Sequence, residues 1–392
     1  MLRERNRSVL RSLDDGFDPD GRLAAMSETV VLTGLPTLLA RRVAARVLEA
    51  PRSKLYAVVR AKFEEDARAF VAALPEGARP RVTLLEGDAA SMDFGLSGAE
   101  FRRLASEVDV IHHAAQVTYL GVDERVAEAV NVRATREALE LARAATHLRA
   151  FVQYSTASVS GDRRGLVLES ELDRGQRSRN VVEATKLRAE KIVRAASRDV
   201  PTIVLRPTTV IGDSITGEVD RLDGPYLLVL LLLTSPTDLA IPLPTHGDSL
   251  LHLVPIDYVA RAAVAIGADP RAIGQTFHLV DPSPLTVRRT CELIARAAGK
   301  PLPRGFIPSN LTKALLRTPG LERFMKSPRA FLDQLVTQVQ YDARNTETIL
   351  AGTSLRAPPF ESYAESLVEY VRGRVLAERK RRAEQEVEDP LV

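Results

Sequence analysis

The 392 residues contain no tryptophan, only 5% aromatics and a single cysteine, Cys291, in a stretch of helical character. One cysteine excludes a disulfide framework and points to a reducing compartment, so a cytoplasmic location is expected. The formal charge of +3 is small for this length, and no aromatic-studded basic patch or helix-turn-helix phrase accompanies it. Nucleic acid is therefore not an expected partner. Long apolar runs are also missing. The one greasy run, 226–233, has eight residues, whereas a bilayer-crossing helix needs about 20. It reads as a buried helix or as the wall of a lipid-sized pocket, and no transmembrane segment is expected. Residues 1–26 start Arg-rich and turn acidic through Asp14, Asp15, Asp18 and Asp20, which fits neither a secretory nor a transit peptide. Met26, directly before the first strand, is an alternative start. With 45% hydrophobic and 27% charged residues, the chain is long enough for one α/β domain with covering segments.

What is present alternates between strand-like and helix-like runs. Thr29-Val30-Val31-Leu32-Thr33-Gly34 followed by helical spacing from Leu38 to Leu48 reads as strand, tight turn and helix, the opening of a dinucleotide-binding unit. Such a turn uses glycine at its first, fourth and seventh positions, for the bend, for close approach of backbone to pyrophosphate and for helix packing. The residues here are Gly34, Thr37 and Ala40. Thr37 places a branched side chain where the phosphates approach, and Pro36 removes a backbone N–H. The alternative is a strand-turn-helix that binds nothing. A second strand, 54–59, ends at Arg60, where an acid would favour NAD and an arginine can pair with the 2′-phosphate of NADP; a solvated surface arginine is the alternative.

Strand-like runs at 82–88 and 108–115 flank a helix whose Ser97 and Glu100 form a capping-box pattern. Adjacent His112 and His113 could suggest a metal, but neighbours in a strand point to opposite faces and no carboxylate or cysteine follows at ligand spacing, so no metal is expected. A long helix from about Glu124 to Ala145 carries Asn131. The run 151–154 leads into a polar turn with Thr156 and Gly161, and Asp257 is placed to cap a helix after a Pro-bounded strand.

Val182-Glu183-Ala184-Thr185-Lys186, the phrases Gly87-Asp88, Leu96-Ser97 and His113-Ala114-Ala115, and Arg206-Pro207-Thr208-Thr209-Val210-Ile211-Gly212 occur in an order that resembles the extended short-chain dehydrogenases and reductases. They are most similar to the branch of fatty acyl-coenzyme A reductases and thioester reductase domains, with matches from about residue 28 to 372. The resemblance implies a Rossmann-type, doubly wound parallel sheet with a smaller C-terminal substrate-covering region. It implies that Gly34, Thr37 and Leu38 lie by the pyrophosphate, Arg60 by the adenosine ribose, Asp88 and Ala89 by the adenine, and Ala114 and Ala115 along the ribose and nicotinamide. Pro207 and Val210 would belong to the loop closing over the nicotinamide. Thr156 would polarise the substrate carbonyl, Lys186 would bind the nicotinamide ribose, and Asn131 would support the site.

In that family a tyrosine four residues before the lysine is the general acid, on the same helix face. Here the position is Val182, which can donate no proton. Two functions stay open: a reductase of an acyl thioester, aldehyde or ketone using NADPH in preference to NADH, its proton coming from water or a phenol such as Tyr119; or a pseudoenzyme acting as a ligand-binding or protein-interaction scaffold, with a homodimer or protein partner. Expected organisation is an N-terminal extension at 1–27, thought disordered; a Rossmann domain at 28–285 with about 213–255 contributing to the substrate lobe; a helical covering region at 286–372; and a charged tail at 373–392.

Overall fold

The computed structural model describes residues 28–234, 247–305 and 338–388, with side chains to residue 381. The expected 1–27 extension and the last four residues of the tail lie outside the described residues. Among the described residues, the first unit comprises 28–210, 252–282 and 338–357; the second comprises 211–234, 247–251, 283–305 and 358–388.

The first unit is built on seven parallel strands. In chain order they are β1 (Thr29–Thr33), β2 (Lys54–Val59), β3 (Val82–Glu86), β4 (Val110–His113), β5 (Ala150–Tyr154), β7 (Thr202–Pro207) and β11 (Thr276–Leu279). Their spatial order is β11-β7-β5-β4-β1-β2-β3, with every pairing parallel. The β-branched runs are buried on both faces, as a parallel sheet sandwiched by helices requires. One face packs on α1 (Leu38–Leu48) and α8 (Ile256–Gly267) through Val30, Leu32, Val43 and Val259; the other packs on α3 (Gly98–Glu107), α5 (Ala134–Ala144) and α6 (Val181–Ala196) through Val31, Ile111, Leu139 and Val193. The strand order reverses between β1 and β4. In open α/β sheets that switch point, at the carboxyl ends of the strands, is where ligands bind. The doubly wound parallel sheet is thus the architecture the motif order implies.

Several local expectations hold at atomic detail. Ser97 and Glu100 form a reciprocal capping box at α3. His112 and His113 point to opposite faces: the ring of His112 meets Gly267 of α8, and His113 stacks on Phe151. Two expectations change. The helix from 124 to 144 is interrupted: α4 (Glu124–Ala127) passes into a π-helical turn at Glu128–Arg133 before α5 resumes. Asp257 does not cap α8. That helix starts at Ile256, with Pro255 at the capping position, so Asp257 lies in the first turn, where its charge complements the helix dipole.

The remaining elements of the first unit are α2 (Glu64–Ala73), β6 (Gly165–Val167), β8 (Thr209–Ile211, at the boundary, with Ile211 counted in the second unit), β10 (Leu253–Pro255), β13 (Val339–Tyr341) and α10 (Arg344–Ile349). Residues 338–357, expected with the covering region, instead belong to this unit: β13 pairs in parallel with β6, and α10 lies against β11. The expected boundary at residue 285 falls at Pro282.

Within the second unit, β9 (Leu250–Leu251) pairs antiparallel with β12 (Leu285–Thr286), and α7 (Tyr226–Thr234), α9 (Val287–Ala297) and α11 (Ala364–Glu388) pack together. The greasy run forms α7, with Leu227, Leu228, Leu230 and Leu232 buried. Cys291 is buried in α9, which pushes its thiol up to about 12. No helix among the described residues is long and apolar enough to cross a membrane.

Candidate active site

At the switch point, β1 is followed by Gly34 with φ of 102°, and a Cβ there would stand 2.7 Å from the Ala114 carbonyl oxygen. The first glycine of the turn is therefore fixed by backbone contact with β4 as well as by its own left-handed conformation. Thr37, at φ −57° and ψ 152°, needs no glycine. Its hydroxyl donates to Gly34 O at 2.9 Å and accepts from Ala40 N at 3.4 Å, so it is the N-cap of α1. The branched side chain is exposed at the helix start, while Leu38 and Ala40 are buried behind it. Ala114 is buried, and Ala115 N donates to Thr33 Oγ1 at 3.1 Å.

Arg60 and Asp88 follow the neighbouring strands β2 and β3, and they pair with each other: Arg60 Nε lies 3.3 Å from Asp88 Oδ2. The other Asp88 oxygen accepts from Ala90 N at 3.0 Å, and Ala89 packs onto the core.

Helix α6 brings the next group together. Asn180 caps it by accepting from Glu183 N at 3.0 Å, while the Glu183 carboxylate accepts from Arg179 N at 2.7 Å. This fixes the helix start and hence the faces of Val182 and Lys186. Lys186 is buried; its ammonium donates to Tyr154 O at 2.8 Å and to Gln116 Oε1. Burial pulls the amine down to about 7, against the opposing attraction of Glu190. His113 is pushed down to about 3 by burial and then by the Lys186 charge, so it is neutral at physiological pH. Thr156 sits two residues beyond Tyr154; its hydroxyl donates to Pro207 O at 3.4 Å and accepts from Ser158 N at 3.2 Å. Val210, half-buried, packs against the core beside this strand end.

Val182 does not face an open space. It forms an apolar cluster with Val122 and Ala127, and Tyr119, Val117 and Val181 pack against it. The loop bearing Gln116 and Tyr119 is held by Asn131, whose amide both accepts from Val117 N at 2.9 Å and donates to Val117 O at 3.1 Å, and also donates to Thr185 Oγ1 at 3.0 Å. Asn131 lies within the π-helical turn, a feature that often marks functional positions.

Among these residues, Gln116 and the Tyr154 carbonyl are Lys186 partners that sequence reasoning did not single out. The buried chain of Ser155, Glu190, Arg206 and Glu169 was equally unforeseen. Glu190 carried a signal, lying four residues after Lys186 on one helix face; a backbone carbonyl and a loop glutamine carry none. No group of three or more His, Cys, Asp or Glu suited to a metal occurs among the described residues.

Residues 32–263 match the family described as male sterility protein. A glycine betaine reductase of Emericella nidulans is 31% identical over 314 residues, covering 73% of this chain and 24% of that protein. A fatty acyl-CoA reductase of Drosophila melanogaster is 24% identical over 220 residues, 49% of this chain and 42% of its own. The chain thus spans less than half the length of these relatives. Among solved structures, the terminal R domain of the myxalamid PKS-NRPS biosynthetic pathway superposes with a TM-score of 0.76 at 26% identity, covering 94% of this chain and 98% of that one. A UDP-glucuronic acid 4-epimerase of Bacillus cereus, in complex with NAD, gives 0.64 at 17% identity and shares the fold.

Proposed function

Because the chain belongs to the male sterility protein family, within the thioester reductase and fatty acyl-coenzyme A reductase branch of the extended short-chain reductases, we propose that it is an NADPH-dependent reductase of an acyl thioester or aliphatic aldehyde. The observation that carries this reading is the retention of Lys186 as a buried ammonium tied to the Tyr154 carbonyl, on the same strand end that presents Thr156. Burying an amine costs its desolvation, and a buried, perturbed amine at the carboxyl end of the sheet is the kind of group that active sites hold.

The residues present fit a dinucleotide, more loosely at the pyrophosphate than elsewhere. The N-terminus of α1 faces the switch point and favours negative charge, while the Thr37 side chain narrows the approach. Arg60 would meet the 2′-phosphate after leaving Asp88, and Lys186 would exchange Gln116 for the ribose hydroxyls. The dinucleotide, when bound, supplies the hydride. Thr156 would turn its hydroxyl from Pro207 O to the substrate carbonyl and polarise it without carrying charge. For the proton, Tyr119 is the phenol we favour, since its ring packs against the Val182 cluster and its loop is held to α6 by Asn131.

The sealed apolar surroundings of Val182 favour one competing reading, a nucleotide-binding pseudoenzyme. Calorimetric titration of NADPH and NADH, followed by single-turnover assays with a long aliphatic aldehyde, separates the two. Binding with oxidation of NADPH supports the reductase; binding alone supports the pseudoenzyme.

A further inference from the structure

Glu190 is fully buried on α6, one turn beyond Lys186, and its carboxylate joins three chain segments. Oε2 accepts from the Ser155 hydroxyl at 2.7 Å, adjacent to Thr156 at the end of β5. Both oxygens accept from Arg206 of β7, at 3.1 and 3.0 Å from Nε and at 2.5 Å from Nη2 to Oε1. Arg206 precedes Pro207, whose carbonyl receives the Thr156 hydroxyl. Arg194 adds a contact of 3.4 Å from its own helix. On its far side Arg206 donates to Glu169 O at 3.5 Å and meets His278 Nε2 at 3.2 Å, and the Glu169 carboxylate accepts from Asn345 N and from the Thr346 hydroxyl.

We infer that Glu190 is a positioning residue, which locks the strand end of Thr156, the helix of Lys186 and the strand end of Pro207 into one arrangement and faces the Lys186 ammonium with a negative charge. The inference rests on the reductase reading for its consequence in turnover, but its physical content does not. A buried ion pair persists when its geometry and its additional hydrogen bonds are good, and this one has both. The groups around Lys186 leave the charge balance to Glu190. His113 from β4 is neutral, Gln116 and the Tyr154 carbonyl are dipoles, and Arg206 and Arg194 lie against the carboxylate itself.

Lysine NMR tests this without cofactor or turnover, since the chain has only eight lysines to resolve after ε-carbon labelling. In Glu190→Gln the shape stays and the charge goes, so the fraction of Lys186 held as ammonium at pH 7 should fall at least about threefold, while Glu190→Asp should stay within about twofold of wild type. A folded Glu190→Gln protein that titrates like wild type, or an aspartate variant that titrates like the glutamine one, overturns the inference. Loss of the countercharge to Arg206 can prevent Glu190→Gln from folding, so Ser155→Ala provides an independent test of the clamp. Its amide exchange over 155–160 and 182–190 should quicken at least about tenfold, and unchanged exchange overturns the inference. Failure of the reductase reading is seen separately, as absence of NADPH binding and oxidation in the wild type.

Discussion

Arg60 and Asp88, the two side chains that follow β2 and β3, hold each other at 3.3 Å at the carboxyl edge of the sheet. Both are partly exposed, so the pair is worth little in stability, about 0–1 kcal/mol. Its consequence lies in binding, because Arg60 must leave Asp88 to meet a 2′-phosphate.

Cofactor preference should follow from that exchange. Arg60→Ala is expected to lower the NADPH:NADH affinity ratio at least tenfold or so, the loss of one charge-assisted contact, and Asp88→Asn to strengthen NADPH up to about fivefold by freeing the guanidinium. Calorimetric titration of both dinucleotides decides it. An unchanged ratio in Arg60→Ala removes Arg60 from the site.

The pH dependence of binding should report Lys186. Its amine is pulled down to about 7 in the folded protein from an ordinary value near 10.5. NADPH affinity should therefore weaken as pH rises through about 7, by roughly tenfold when one charged hydrogen bond is lost. For stability the sign is opposite. Between about 7 and 10.5 the unfolded chain holds the extra proton, so the Lys186 contribution grows more favourable as pH rises, and the cost of burying the ammonium is fully present below 7. Urea unfolding at pH 8 and pH 9.5, above the range in which the buried His112, His113 and His278 contribute, should show this gain in wild type and not in Lys186→Met.

Restoring the missing phenol is the sharpest test of the chemistry. Val182→Tyr, combined with Val122→Ala to open the closed apolar cluster, places a tyrosine one turn from Lys186, and turnover of a long aliphatic aldehyde should rise at least about tenfold, since a general acid supplies 10²–10⁴. If Tyr119 is the present donor, Tyr119→Phe should abolish the wild-type rate and leave that of the combined variant nearly intact. A full wild-type rate in Tyr119→Phe would assign the proton to water.

Thr37→Gly should tighten dinucleotide binding by letting backbone approach the pyrophosphate, at a stability cost of only a few tenths of a kcal/mol for the lost cap. Weaker binding would show that the Thr37 hydroxyl itself holds the phosphates. Gly34→Ala, by contrast, should be destabilising, because its Cβ would press on Ala114 O at 2.7 Å with φ at 102°. Thermal unfolding measures both.

The sequence by itself determined the parallel sheet, the turn at Gly34, the capping box at Ser97 and Glu100, and the shared face of Val182 and Lys186. The turn, the capping box and the shared face rest on interactions a few residues apart, and the alternation of strands and helices on apolar periodicity, while the parallel sheet was implied by the resemblance of the motif order to a known family. Tertiary structure alone decided that Arg60 is paired with Asp88, that Lys186 rests on Gln116 and the Tyr154 carbonyl, and that the place of the phenol is closed by Val122, Ala127 and Tyr119. It also returned β13 and α10 to the first unit, where Asn345 and Thr346 hold Glu169 across more than 170 residues of sequence. Partners that distant leave no periodic or local trace, because what selects them is the need to satisfy a buried carboxylate, and that need exists only once the chain has folded.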